Sequence, residues 1–362
     1  MNQDHPHQRT VGRGAQISPG NRFERVHTEP DLEQIAADDE LLAETRRVPT
    51  EFMPDNTQTI ITKNDSPDIP FSYSINPYRG CEHGCSYCYA RPYHEMLGLN
   101  AGIDFETKIL VKENAPRLLR DELANPRWQP QTIAISGVTD CYQPAERKYR
   151  ITRGCLQVLL EARNPTGIIT KNALVTRDID ILSAMAKENL VHVFLSITTL
   201  DQELARKMEP RTSNPQSRLQ AVRELTAAGV PVGVMTAPMI PGLNDLEIPN
   251  LLKAAHEAGA RSAGYTLLRL PHAVRLIFED WLTRNCPLQA DRVLSLIRGV
   301  RDGKLNDSQW GSRMRGEGPY AETIATTFKA FKKKLGFEDR LPPLDTNKFR
   351  PPTSTDGQMR LF

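Results

Sequence analysis

Nowhere does the chain hold an apolar run approaching the roughly 18 residues a membrane-crossing helix needs, which excludes a helical span. Met1 to Gly20 lacks the apolar stretch of a secretory signal, so the expected compartment is the cytoplasm. There is little net charge, +2 at pH 7, and this neither requires nor excludes a nucleic-acid partner, because a basic face can hide inside a balanced total. Cysteine is sparse, six in 362 residues, which does not fit the dense disulfide framework of a small secreted module. Apolar residues make up 39%, under the average of roughly 45–50% that also counts glycine. Polar chain ends account for the shortfall.

What the sequence does have is order along its middle. Residues 1–54 are rich in His, Gln, Asp, Glu, Thr and Pro and read as a polar, largely disordered segment, with a short helix around Asp31–Arg46. Phe52–Thr62 adds an edge strand. From residue 55 to 285, short apolar runs alternate with helical patterns. The expected strands are Phe71–Ile75, Thr132–Ser136, Gly167–Thr170, Val191–Ile197, Pro231–Met235 and Ser262–Leu268. Val191–Ile197 reads as buried on both faces. Helices are expected at Arg147–Arg163, after an Asp178 cap, after a Ser217 cap, at Asn244–Ala258 and at His272–Arg284. Alternating strands and helices imply βαβ units and a parallel sheet. Six units fall short of the eight of a closed barrel. Residues 286–340 read as a small helical extension with helices at Asp291–Val300 and Ala321–Leu335, and residues 341–362 as an extended tail.

Three of the six cysteines fall within eight positions, in Asn76-Pro-Tyr-Arg-Gly-Cys81-Glu-His-Gly-Cys85-Ser-Tyr-Cys88-Tyr89-Ala-Arg91. Cys81, Cys85 and Cys88 can hold three corners of an iron–sulfur cubane and leave the fourth iron open to a small chelating molecule. Gly80 and Gly84 let the backbone wrap closely around a bulky cluster. A zinc site is the other reading, with His83, His94 or Cys141 as the fourth ligand, though no second cysteine pair stands at ribbon spacing. Cys141, Cys155 and Cys286 stand alone.

This spacing, with an aromatic just before the last cysteine, resembles the radical S-adenosylmethionine (SAM) superfamily. The resemblance implies a partial (β/α)6 barrel carrying a [4Fe–4S] cluster after its first strand. It also implies SAM on the open iron, cleaved on reduction to a 5′-deoxyadenosyl radical. Over roughly residues 55–285 it sharpens toward spore photoproduct lyase and its uncharacterised relatives. Carried over, Asp140 would accept the SAM ammonium, while Lys171 and Ser196 would hold its carboxylate. Tyr87 and Ile240 would pack against adenine. Cys141 is a candidate hydrogen donor, although it stands displaced relative to the lyase pattern. The residues agree with this assignment: each polar candidate lies at a predicted strand end, where barrel active sites form, and a zwitterion needs one anion and one cation. Blander readings stand beside these: a solvated loop lysine, a turn-capping aspartate, a strand serine, a buried thiol. Arg211, in Glu209-Pro-Arg211, is a candidate for the SAM ribose or carboxylate, or else a surface ion pair. His83 is taken as a loop residue facing solvent.

The motifs indicate the cofactors, not the substrate. Arg147-Lys148-Tyr149-Arg150 and Lys332–Lys334 are basic stretches that suit nucleic-acid phosphates or simply solvated helix ends. A reductant such as flavodoxin or ferredoxin is an expected partner. A noncatalytic iron–sulfur or zinc module that binds a partner is the alternative function, and it would not need Asp140, Lys171 and Ser196.

Overall fold

The computed structural model describes residues 10–24 and 48–353. Within them, β1 (Glu51–Pro54), β2 (Thr62–Lys63), β3 (Tyr73–Ile75), β4 (Tyr78–Arg79) and β5 (Lys108–Val111) precede β6 (Ile133–Ile135), β7 (Thr166–Thr170), β8 (Val191–Ser196), β9 (Val232–Met239) and β10 (Ser262–Leu267). The large sheet runs β2-β3-β6-β7-β8-β9-β10. From β3 to β10 every pairing is parallel, and only the edge strand β2 is antiparallel. Each parallel strand is added beside its predecessor, with a helix in every crossover, so the sheet steps in one direction. β10 does not pair back to β3, and the barrel of six units stays open. The remaining strands form a small sheet in the order β1-β5-β4. Thus the expected edge strand within Phe52–Thr62 is β1, on this second sheet, while Thr62–Lys63 supplies the edge of the first.

The core explains the alternation. Ile75, Ile133, Ile135, Ile168, Val193 and Val234 are fully buried from the strands. Helices Ala115–Ala124, Ile151–Glu161, Ile179–Lys187, Pro215–Ala227 and Ile248–Glu257 bury Leu119, Leu156, Leu182, Val222 and Leu252 against them. Each such side chain contributes about 1.5–3 kcal/mol of burial. In β8, Val191, Val193 and Leu195 are buried while His192 and Phe194 are half-buried. The strand therefore alternates rather than being sealed on both faces, because an open barrel covers its inner face less completely.

Three local expectations are corrected by capping and backbone geometry. The helix expected over Arg147–Arg163 is two, Glu146–Tyr149 and Ile151–Glu161, split at Arg150, whose φ of 54° cannot continue a helix. Asp178 makes no cap hydrogen bond; its carboxylate is buried and takes Arg153, Arg177 and Tyr142 instead. The helix expected to start at Ser217 is capped by Asn214, which accepts from Ser217 N, with Pro215 at the first position.

Both ends of the described chain are tied down. Residues 10–24 lie across the segment that follows β4, with Arg13, Ala15 and Asn21 buried, so the disorder expected for residues 1–54 does not hold there; the helix expected at Asp31–Arg46 lies outside the described residues. Residues 341–353 have no regular structure but run beneath the sheet. Asp345 N donates to Asn189 O at 3.0 Å and Arg350 N to Ala162 O at 2.8 Å, so this tail crosses the N-terminal ends of β7 and β8. Helices Ala290–Gly299 and Gly318–Lys334 form the C-terminal extension, close to the expected ranges.

Candidate active site

The cysteine loop follows β3 and β4 and is held on all sides by backbone groups. Cys81 N donates to Phe105 O at 2.9 Å, and Ser86 N to Met208 O at 3.0 Å. Gln143 brackets it, accepting from Glu82 N at 2.9 Å and donating to Gly80 O at 3.1 Å. Arg91, fully buried, donates to Cys85 O at 3.0 and 2.8 Å and to Ala101 O and Gly102 O. Its charge is met by Glu106, itself fully buried. Glu106 also accepts from Gly14 N and Ala15 N, at 2.9 and 2.7 Å, which fastens the N-terminal segment over the loop. Gly84 has φ +65°, and a Cβ there would come within 2.5 Å of Glu106 Oε2. A Cβ on Gly14 would overlap the Gly84 carbonyl oxygen, so glycine is required at both positions.

His83 is buried rather than facing solvent. Its Nδ1 lies 3.5 Å from Asp140 Oδ2, and its Nε2 lies 3.2 Å from Asn172 Nδ2. Asp140 also accepts from Thr170 Oγ1 at 2.7 Å, Lys171 N at 2.7 Å and Tyr142 N at 2.9 Å. Burial alone would raise this carboxyl; His83, Thr170 and the Lys171 amide outweigh burial and hold it at about 2. Asp140 is therefore an anion, and it locks the cysteine loop to the C-terminal ends of β6 and β7. The Lys171 ammonium makes no ion pair among the described residues and lies 5.9 Å from the Tyr87 ring centre.

Tyr87, between two of the cysteines, is buried with its hydroxyl on Glu209 and 3.5 Å from Thr198 Oγ1. Glu209 is buried too and pairs with Arg218, which is 1% exposed. Arg218 also donates to Ser196 O at 2.9 Å and Ser213 O at 2.8 Å. Ile240, fully buried, shares an apolar cluster with Cys85, Tyr87 and Met208.

A family model described as the radical SAM superfamily matches residues 75–255. The chain belongs to the radical SAM superfamily. An uncharacterised protein of Mycobacterium tuberculosis is 39% identical over 232 residues, covering 64% of this chain and 68% of that one. An uncharacterised protein of Methanocaldococcus jannaschii is 31% identical over 175 residues, covering 48% of this chain and 63% of that one. Among solved structures, a mutant spore photoproduct lyase superposes with a TM-score of 0.60 at 16% identity, covering 88% of this chain and 86% of that one. Another mutant of that lyase, with bound AdoMet and a dinucleoside spore photoproduct, also gives 0.60. At these identities the likeness concerns the fold.

Radical SAM enzymes use a [4Fe–4S] cluster and SAM, and this loop suits a cluster. The three thiols sit on one loop and bear on one another electrostatically. Burial, then Asp140 and the other two thiols, push Cys81 well above the usual thiol range. Burial and Glu209 push Cys85 up, and burial pushes Cys88 up. Thiolates gathered in so dry a place need positive charge among them. Ser86 Oγ, buried in the same loop, has no partner among the described residues.

The candidates from sequence divide. Asp140, Lys171, Ser196, Tyr87 and Ile240 all lie at the C-terminal end of the sheet with the cysteine loop. Arg211 is engaged by its own partners: its guanidinium reaches Thr50 Oγ1 and Glu82 Oε1, both at 3.3 Å. Cys141 is fully buried in the main core, its amide on Ser136 Oγ and its carbonyl on Thr152 Oγ1. Glu209, Arg218, Thr198, Arg91 and Glu106 carry much of the site and were not singled out from sequence. Charged residues in a sequence do not show which of them will be buried as pairs.

Proposed function

We propose that this radical SAM enzyme holds its [4Fe–4S] cluster through Cys81, Cys85 and Cys88 and binds SAM between Asp140 and Lys171. When bound and reduced, these cofactors supply a 5′-deoxyadenosyl radical that abstracts hydrogen from a substrate. The observation that carries this reading is that the Lys171 ammonium, without an ion pair among the described residues, and the ionised Asp140 both lie beside the cysteine loop, one cation and one anion for an amino-acid zwitterion. Ser196, whose backbone Arg218 fixes, adds a hydroxyl on the Lys171 side. Tyr87 and Ile240 offer the apolar faces for adenine, and the Glu209 carboxylate sets the Tyr87 ring by holding its hydroxyl. Arg211 and Cys141 have no such support: one is engaged by Thr50 and Glu82 and the other is fully buried in the main core.

The substrate we favour is a nucleic acid in a lyase-like or repair-like reaction, supported by aromatic and arginine side chains around the open mouth. Low-potential reduction calls for a donor such as flavodoxin or ferredoxin. Six cysteines free of disulfides fit a reducing compartment, the cytoplasm. No helix among the described residues is long and apolar enough to cross a membrane. A noncatalytic module would have no use for an anion at Asp140 and an unpaired cation at Lys171 beside the same loop.

The test is anaerobic reconstitution, reduction with dithionite and addition of SAM, read by EPR and by chromatography of 5′-deoxyadenosine. A reduced-cluster signal that shifts with SAM, with the nucleoside formed, is expected. A colourless protein holding one zinc, indifferent to SAM, would refute the reading.

A further inference from the structure

At the corner where β10 ends, the polar groups are poorly matched. Arg269 follows β10 by two residues, and its Nε is buried without a partner. Its one described polar contact is Met314 Sδ, 3.9 Å from Nη1. The carboxylate nearby, Asp68, is already taken by Arg313 Nε at 2.5 Å and Gly311 N at 2.8 Å. Arg301, also buried, spends its terminal nitrogens on Leu268 O and Ser312 O, at 2.8 and 2.9 Å, and its Nε is likewise unpartnered. Asp307, the other acid here, accepts from Gln309 N and Ser312 Oγ. Three arginines thus face two occupied carboxylates. Burial and Arg313 both work against the Arg269 charge. Arg269 is half-buried with its Nε fully dry, and such a guanidinium whose nearby acid is already taken is costly to hold unless an oxyanion completes its fork.

The same corner carries flat, exposed rings. Tyr89 follows Cys88 and is 43% exposed; its ring centre lies 5.8 Å from the Arg269 guanidinium carbon. Its hydroxyl donates to Gly137 O at 2.9 Å, just after β6, so the ring spans the mouth between the second and sixth barrel strands. Tyr93 and Trp310 are also exposed. Aromatic faces beside an arginine fit a base with its phosphate.

We propose that Arg269 anchors a phosphate of a nucleotide-bearing substrate whose base stacks on Tyr89. This rests on the radical-enzyme reading for its meaning but not for its test. Wild-type holoenzyme, Arg269→Gln and Arg269→Lys, matched for iron content, are titrated without reductant against fluorescein-labelled oligothymidylate and against thymidine monophosphate. Anisotropy follows the first probe and calorimetry the second. Loss of affinity of about tenfold in Arg269→Gln, with part retained in Arg269→Lys, is expected. Such a loss with the oligomer makes a strand the source of the phosphate, and with the monophosphate alone a free nucleotide. Equal affinities in all three proteins, or no binding of either probe by the wild type, overturns the anchor. Arg269→Lys keeps the test open should Arg269→Gln not load iron. Binding is read apart from SAM cleavage, so failure of one leaves the other standing.

Discussion

The two ends of the open barrel are held by different forces. At the C-terminal ends of the strands, buried polar side chains organise the loops: Arg91 and Glu106 as one ion pair, Arg218 and Glu209 as another, and His83 set against Asp140. At the N-terminal ends, a tail without regular structure is fastened by backbone hydrogen bonds and by apolar contact of Phe349 with the core. Buried ion pairs gain little over apolar residues, since desolvation offsets their attraction, but they fix directions that apolar contacts leave loose. On the proposed function, the end that has to aim a thiol, an ammonium and a ring is the end that carries them. Breaking one pair there should disturb function and stability together, whereas a change at the base should move stability alone.

The largest effect belongs to the loop itself. Cys85→Ala removes one of three thiolates and should abolish the cluster and all reductive SAM cleavage. Iron analysis, EPR and 5′-deoxyadenosine formation report this. A full cluster surviving in that variant sinks the ligand assignment.

Glu209→Gln comes next. It leaves Arg218 buried without its anion and frees the Tyr87 hydroxyl, and about 3 kcal/mol of stability should be lost. Urea unfolding gives the loss, and SAM binding by calorimetry should weaken in the same variant. The pair also has a pH signature. Burial alone would raise the Glu209 carboxyl, but Arg218, then Lys171, Thr198 and Tyr87 hold it at about 2. Its folded value lies below the unfolded value of about 4.3. The stabilisation is therefore complete above that unfolded value and drains away as pH falls toward 2. Wild type should lose stability more steeply than Glu209→Gln between about pH 5 and about pH 2; parallel curves would deny Glu209 its ionised role.

Lys171→Ala tests the cation while leaving both members of the Glu209–Arg218 pair in place. SAM affinity should fall about tenfold, equivalent to about 1.4 kcal/mol, with iron content unchanged and the urea midpoint moved far less than in Glu209→Gln, since Lys171 is only one of several groups that hold Glu209 ionised. A fall in stability as large as that of Glu209→Gln would make Lys171 a structural residue.

This contrast between the ends also marks what the sequence discloses. The six parallel strands are legible because each is a short apolar run between helical patterns, and the cysteine spacing points to the cofactor directly. The positions of Lys171 and Ser196 are legible as strand ends, and that of Asp140 as the loop that follows β6. Arg218 and Glu209 are not, since their pairing crosses from a loop to a helix and neither residue differs in type from a solvated charge. Residues 10–24 have no periodicity because they dock through backbone amides on Glu106 and through isolated polar side chains, Arg13 and Asn21, which repeat at no helix or strand spacing. The break at Arg150 comes from a left-handed backbone at a residue with no such preference. The Asn214 cap did carry a signal, in the Asn214-Pro215 pair, that Ser217 obscured.

The smallest effect lies at the base. Phe349 is half-buried against the core, and the amide of Arg350 beside it donates to Ala162 O. Phe349→Ala removes partly buried apolar surface and should cost about 1 kcal/mol. The backbone hydrogen bonds at Asp345 and Arg350 do not depend on the ring, so the tail should stay in place. The C-terminal ends of the strands, with their own buried pairs, should not register the change. Urea unfolding should show a small shift of midpoint, with cluster content, SAM affinity and 5′-deoxyadenosine yield at wild-type values. If SAM affinity falls along with stability, the two ends are coupled through the strands, and the division of labour between charge at the mouth and apolar contact at the base is wrong.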